Sequence, residues 1–180
     1  MVQDAGAMPK QAEPIRTIAI ILGSESDWPK VEPVITAYTE DRVRIVVHIV
    51  SCHRNPIELL ILVGKCCWGC YNVVICCGGK AFALPGVLEA LIHFFNGKTP
   101  VVGVALGESI QSDDGLAARL SIKEIPGKTV VMCANGEPYW GPEGLRGAIE
   151  DVIAKKLIMP KAKQPKPARW DYWSNFKQAS

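Results

Sequence analysis

The sequence predicts an α/β fold, a five-stranded parallel sheet with helices on both faces. Three observations predict it. Short apolar runs alternate with helical stretches five times along the 180 residues. The apolar runs are unbroken rather than alternating, as in strands buried on both faces. The connections are short, and a helix crossing over between consecutive strands makes those strands parallel.

Residues 17–22 (T-I-A-I-I-L) form the first expected strand, and G-S-E-S-D at 23–27 turns the chain. Asp27 is placed to cap a helix from Trp28 to about Glu40. Pro29 suits its first turn, where amides lack intrahelical partners; Pro33 is an awkward interior residue that can kink it. Residues 43–50 are the second strand. Asn55 as N-cap, Pro56 in first position and Glu58 three residues after the cap start the next helix. Its run from Leu59 to Val63 is heavily apolar, and Gly69 ends it. Residues 71–77 are the third strand, followed by the loop G-G-K-A-F-A-L-P-G at 78–86. A helix over about 85–95 stops at Asn96-Gly97. Residues 100–105 are the fourth strand, 108–115 a polar loop, and 116–124 a helix. Residues 128–134 are the fifth strand and 135–141 a turn-rich loop. Pro142 opens a last, amphipathic helix to about Lys156. The α/β unit thus occupies 17–157, between a polar lead-in (1–16) and a basic, aromatic tail (158–180).

A chain that is 48% hydrophobic can bury one good core, and its formal charge of +2 points to no nucleic acid. The charge is uneven. Residues 155–180 carry seven Lys or Arg against Asp171 alone, a local +6 that leaves the rest net −4. Such a tail can bind polyanions, but is more often solvated or covered by a partner. The first 14 residues lack the apolar core of a secretory leader, and no stretch approaches the ~18 apolar residues of a membrane span. The expectation is a cytoplasmic protein with no membrane association. Its seven cysteines are then thiols rather than disulfides.

In parallel sheets ligands bind beyond the carboxyl ends of the strands, near the switch in strand order. Three loops fall there. In the first, Ser24 and Ser26 bring hydroxyls to a helix start, where amides favour an anion, and Asp27 can accept from sugar hydroxyls. This is neither a dinucleotide fingerprint nor a P-loop. In the second (S-C-H-R-N-P), His53 can exchange a proton near neutral pH and Arg54 can grip a phosphate through paired hydrogen bonds. In the third, Gly78 and Gly79 allow close approach of a substrate and Lys80 adds charge. The bland alternatives are turn and cap chemistry, a loop packed by its own polar groups, and a strand-to-helix turn. His48, inside a strand, and His93, on a helix, read as structural.

Five cysteines lie between Cys66 and Cys77. Cys67-x-x-Cys70 is half of a metal site without its second pair, because Cys76 and Cys77 point to opposite faces of one strand. Buried thiols behave as small hydrophobes, and Cys52 is the one placed near the pocket.

Taken together, G-S-E-S-D, S-C-H-R-N-P and G-G-K-A-F-A-L-P-G resemble the aminoimidazole ribonucleotide carboxylase and N5-carboxyaminoimidazole ribonucleotide mutase family, over about residues 17–154. Its motifs run approximately G-S-x-S-D, S-A-H-[RK]-x-P and a Gly-rich loop ending L-[PS]-G. S-I-K-E-I-P-G at 121–127 also resembles that family. The resemblance implies a flavodoxin-like, three-layer fold. It implies a homo-oligomer, an octamer or tetramer, acting on a ribonucleotide and CO2 in purine biosynthesis without metal, biotin or ATP. One branch moves CO2 from the N5-carbamate to ring carbon C4; the other carboxylates C4 directly. By the same resemblance Ser24, Ser26 and Asp27 contact phosphate and ribose, and Arg54 the phosphate. Ser51 helps build the pocket, His53 is the general acid/base, and Gly78, Gly79 and Ala81 leave room for CO2.

The chain departs from these motifs in places. Ala83 stands where the mutase branch has His, and Lys80 is nearer the Arg of the CO2-using branch. His53-Arg54 is mutase-like, and Cys52 replaces a usual Ala. The alternatives are a non-catalytic, nucleotide-binding relative and a metal or redox protein.

Overall fold

The computed structural model describes residues 16–38 and 43–161. The lead-in, the end of the first expected helix at Glu40, and the tail from 162 with its aromatic residues lie outside the described residues. In chain order the elements are β1 (Arg16–Leu22), a 3-10 turn (Glu25–Asp27), α1 (Trp28–Thr36), β2 (Val43–Ile49), α2 (Pro56–Cys67), β3 (Val73–Gly78), α3 (Leu84–Phe94), β4 (Val101–Ala105), α4 (Asp113–Lys123), β5 (Tyr139–Trp140) and α5 (Gly141–Ile153).

The strands pair in parallel in the order β2-β1-β3-β4-β5. This is a flavodoxin-like three-layer fold, with its switch in strand order between β1 and β3. Alternation along β1 assigns the two faces. Ile18, Ile20 and Leu22 pack with Val31 and Val34 of α1 and with Leu145 and Ile149 of α5. Ala19 and Ile21 face Leu59 and Leu62 of α2, Leu88 of α3 and Ile122 of α4. All of these side chains are 3% exposed or less, so β1, an interior strand, is dry on both sides and needs no polar alternation, whereas the edge strand β2 is only partly covered and carries Arg44 and His48.

The fifth strand corrects the sequence reading. Residues 128–134 were expected to fill it, but only Val131 bridges to β4 there, opposite Val102. Val131 N donates to Val101 O at 2.8 Å, and Gly103 N to Val131 O at 3.2 Å. The chain then leaves the sheet in a tight turn, in which Cys133 N donates to Glu137 O at 2.9 Å. Arg119 and Lys123 of α4 hold the Glu137 carboxylate, drawing the turn away from the ladder. Pairing resumes at Tyr139–Trp140, opposite Val104 and Ala105.

Helix starts differ as well. Neither Asp27 nor Asn55 makes a side-chain cap bond. Asn55 Oδ1 instead accepts from Ser51 N at 3.2 Å, bracing the loop before α2. Ser112 does cap, accepting from Gly115 N at 3.2 Å, and α4 therefore begins three residues before the expected position 116. Gly69 (φ +75) and Asn96 (φ +58) adopt left-handed backbone just past α2 and α3, as stop residues do.

Candidate functional site

The three strand-end loops meet. In the first, Ser26 Oγ donates to Ser24 Oγ at 3.0 Å, closing the 3-10 turn that sets Asp27 inward, only 8% exposed. In the second, buried Ser51 accepts through Oγ from His53 N at 3.4 Å and Arg54 N at 3.3 Å. Ser51 thus shapes the backbone that carries the imidazole and guanidinium. Arg54 Nη2 donates to Gly23 O at 3.1 Å and ties the first two loops together. In the third, Lys80 takes a left-handed conformation at φ +57. Gly79 passes so close to the next strand that a Cβ would lie 2.5 Å from Leu106 O. Only glycine fits there.

Two adjoining clefts result, sharing Ser24, Asp27 and Gly79. The inner one, about 130 Å³, is walled by Ser51, Cys52, His53, Ala81, Phe82 and Ala83. The outer one, about 390 Å³, is walled by Ser26, Lys30, Arg54, Lys80, Gly107 and Asp114. His53 is exposed and Asp27 buried, so the two ionisable groups stand in different media. Burial pushes the Asp27 carboxyl above its usual range, and Lys30, a Ser24 backbone hydrogen bond and Lys80 pull the other way. Burial likewise raises the Cys52 thiol, which makes it a poor nucleophile. The outer cleft therefore sets three cations and two hydroxyls beside the carboxyls of Asp27 and Asp114, and the inner cleft sets one imidazole beside Asp27 in a small space.

Nine of the ten expected residues line these clefts. Gly78 does not. It ends β3, buried, and a Cβ on it would come within 2.4 Å of the Phe82 ring. Its missing side chain makes room for Phe82, not for a ligand. The sequence reading missed Lys30, Phe82, Gly107 and Asp114. Lys30 follows Asp27 by three residues, a helical spacing that shares one face. Gly107 and Asp114 belong to the loop after β4 and the start of α4, the fourth carboxyl end in the row.

A larger cavity of about 720 Å³ lies elsewhere, between residues 127–136 and 158–161. Val130, Met132, Ile158 and Met159 dominate its walls, and Lys128, Cys133 and Lys161 are the ionisable groups that line it among the described residues.

Three of the five clustered cysteines are core, and Cys67 is half-buried. Cys66 is buried, and burial with the neighbouring thiols pushes its pKa up to about 12. Cys76 and Cys77 are fully buried on opposite faces of β3, their thiols raised well above the ordinary range by burial. Cys70 is exposed. Among the described residues no group of three or more His, Cys, Asp or Glu is arranged to hold a metal ion. His48 Nε2 lies 2.8 Å from Tyr71 Oη, and burial lowers its pKa, with Lys65 adding to the effect. His93 is exposed on α3, away from the clefts. Among the described residues no helix is long and apolar enough to cross a membrane.

Known proteins resemble this chain in sequence. The sequence profile of the AIR carboxylase family matches residues 17–138. An N5-carboxyaminoimidazole ribonucleotide mutase of Haemophilus influenzae is 33% identical over 111 residues, 61% of this chain and 62% of that protein. A mutase of the same name from Methanocaldococcus jannaschii is 33% identical over 160 residues, covering 83% of this chain and 90% of that protein. The chloroplastic phosphoribosylaminoimidazole carboxylase of Vigna aconitifolia is 31% identical over 70% of this chain, within 21% of its own length. The match thus spans only about three fifths of several bacterial mutases and nearly all of the archaeal one. The family profile covers all three strand-end loops and β1 through β4, and on that match the chain belongs to the AIR carboxylase family.

Proposed function

We propose that this protein places a carboxylate on ring carbon C4 of 5-aminoimidazole ribonucleotide in purine biosynthesis. The observation that carries the reading is the convergence of His53, Asp27, Arg54 and the Ser24–Ser26 pair on one divided cleft at the carboxyl ends of β1, β2 and β3. Arg54 and Lys80, joined by Lys30, hold the phosphate, with the Ser24 and Ser26 hydroxyls as further partners. Asp27 accepts from the ribose. Ser51 braces the loop that carries His53, and Gly79 and Ala81 leave space for CO2 in the inner cleft.

The proton steps follow from the bonds that change. On the carbamate route the N5–carboxyl bond breaks, CO2 departs, and N5 keeps the electron pair and takes a proton from the His53 imidazolium. The ring then bonds CO2 through C4. The C4 hydrogen leaves as a proton to the now neutral His53, and aromaticity returns. With free CO2 only the second half is needed, and His53 starts neutral. One imidazole, giving a proton in the first half and taking one in the second, serves both routes. No metal or other cofactor enters either one.

The α/β unit over 17–157, a cytoplasmic location and assembly as a homo-octamer or homotetramer belong to the same proposal. Ile57, Leu60, Ile61, Phe94 and Phe95 are exposed on α2 and α3 and offer a second copy apolar surface; light scattering of the pure chain reads the assembly.

One assay tests the function. The chain is given the N5-carbamate without bicarbonate, and separately the unsubstituted ribonucleotide with bicarbonate. C4-carboxylated product from the first alone makes it a mutase, and from the second alone a carboxylase. Binding without product from either makes it a nucleotide-binding relative and overturns the reading.

A further inference from the structure

Asn55 stands where the second strand-end loop meets α2, in the place of a helix cap. It does not cap the helix. Its Oδ1 turns back and accepts from Ser51 N at 3.2 Å, while Asn55 N donates to Ser51 O at 2.9 Å. The two residues are thus joined twice, across the base of the loop. Both ends of the loop are held as well. Val50 N donates to Leu22 O at 2.9 Å, fixing its entry to β1. Leu59 N donates to Asn55 O at 3.0 Å, fixing its exit to the first turn of α2. Buried Leu59 and Leu62 seat that helix on the sheet. The loop is therefore a clasp. Asn55 closes it from the helix side, and Ser51 Oγ fills it by accepting from His53 N and Arg54 N.

His53 depends on this clasp more than its neighbours do. Cys52 packs against the core. Arg54 has a second anchor, Nη2 donating to Gly23 O at 3.1 Å. His53 is exposed, and among the described residues none hydrogen-bonds its ring. With no partner on the ring, the loop backbone sets where the imidazole stands. Proton transfer needs the ring nitrogen within about 2.6–3.2 Å of the atom served. A loop free to shift by about 1 Å loses rate even though its catalytic side chain is intact.

We propose that Asn55 is a positioning residue for His53, acting through Ser51 N to hold the imidazole against the reacting atoms. The proposal rests on the reading above, in which His53 moves the protons.

The test is steady-state kinetics of the full chain on whichever of the two substrates it turns over, unsubstituted and as Asn55→Ala, Asn55→Ser and Asn55→Asp. Alanine has no acceptor. Serine has an oxygen one bond too short to reach Ser51 N, but it caps helices well, so it keeps the test open if Asn55→Ala does not fold. Aspartate keeps the acceptor. Asn55→Ala and Asn55→Ser should lower kcat about five- to tenfold. KM should stay within about twofold, because Arg54 keeps its tie to Gly23 O and Lys30 and Lys80 come from other elements. Asn55→Asp should hold kcat within about twofold of the unsubstituted chain. An unchanged kcat in Asn55→Ser overturns the proposal, as does an Asn55→Asp chain as slow as Asn55→Ser, or a loss that falls on KM alone. Those results leave the functional reading intact. An unsubstituted chain that yields product from neither substrate overturns that reading and the proposal with it.

Discussion

The loops at the carboxyl ends of β1–β3 and the cysteine-rich stretch from α2 into β3 hold reactive residue types at comparable density, and the fold treats them in opposite ways. The loops leave His53 and Arg54 exposed around a divided cleft and bury only Asp27 and Ser51 among their polar groups. The cysteine stretch buries Cys66, Cys76 and Cys77 among Leu, Ile and Val, where the thiolate form is suppressed. The difference teaches that chemistry resides in the medium around a group as much as in the group. A thiol in the sheet interior is a small hydrophobe, and an imidazole on a strand-end loop stays within reach of a substrate.

Three substitutions break or sharpen this contrast. The largest effect belongs to His53→Asn, which removes the proposed proton carrier from an exposed position. It should lower kcat by about 10²–10⁴-fold while leaving the melting temperature nearly unchanged. A variant that retains activity would remove His53 from its role and leave the loop without a base.

Next is Cys76→Ser, on the other side of the comparison. A hydroxyl replaces a thiol in a fully buried, apolar setting, at a cost of about 1–3 kcal/mol, while kcat per folded molecule should hold. Denaturant titration reads the first quantity and a steady-state assay the second. A large fall in kcat without loss of stability would show the cysteine stretch taking part in the chemistry.

The smallest effect concerns Asp27. Burial raises its carboxyl above the ordinary 3.8, so the fold favours its protonated form. Between that value and the raised one the native chain binds more protons than the unfolded chain, and stability falls as pH rises through the window. At neutral pH the ionised Asp27 therefore costs stability. Asp27→Asn should raise the melting temperature near neutrality, with the gain vanishing below 3.8, while weakening ribonucleotide binding. Equal melting curves at both pH values would mean that Asp27 carries no such cost.

Much of the molecule was legible beforehand. β1, β3 and β4 follow from apolar runs, β2 from strand-forming residues interrupted by Arg44 and His48, and α2 from its start and stop residues. The convergence of the first three loops follows from parallel topology, because consecutive strands deliver their carboxyl ends to one edge. The fifth strand was not legible, because the apolar run ending near Ala134 contributes one bridge, and Tyr139–Trp140, beyond the Glu137-anchored turn, completes the pairing. Lys30 and Asp114 escaped notice because each enters the outer cleft from a helix whose start was read only as capping or loop.

By itself, the order of residues determined the layers, the parallel sheet and the loops that carry His53 and Arg54, since these depend on periodicity and turn chemistry among near neighbours. Only the tertiary structure decided what fills the spaces between them. Gly78 looks like room for a ligand until the Phe82 ring is found on it, and the cysteines look like a site until burial closes over them. Those outcomes, the burial of Cys66, Cys76 and Cys77 but not of Cys67 and Cys70 among them, depend on contacts between atoms of different loops, strands and helices, which no local pattern encodes.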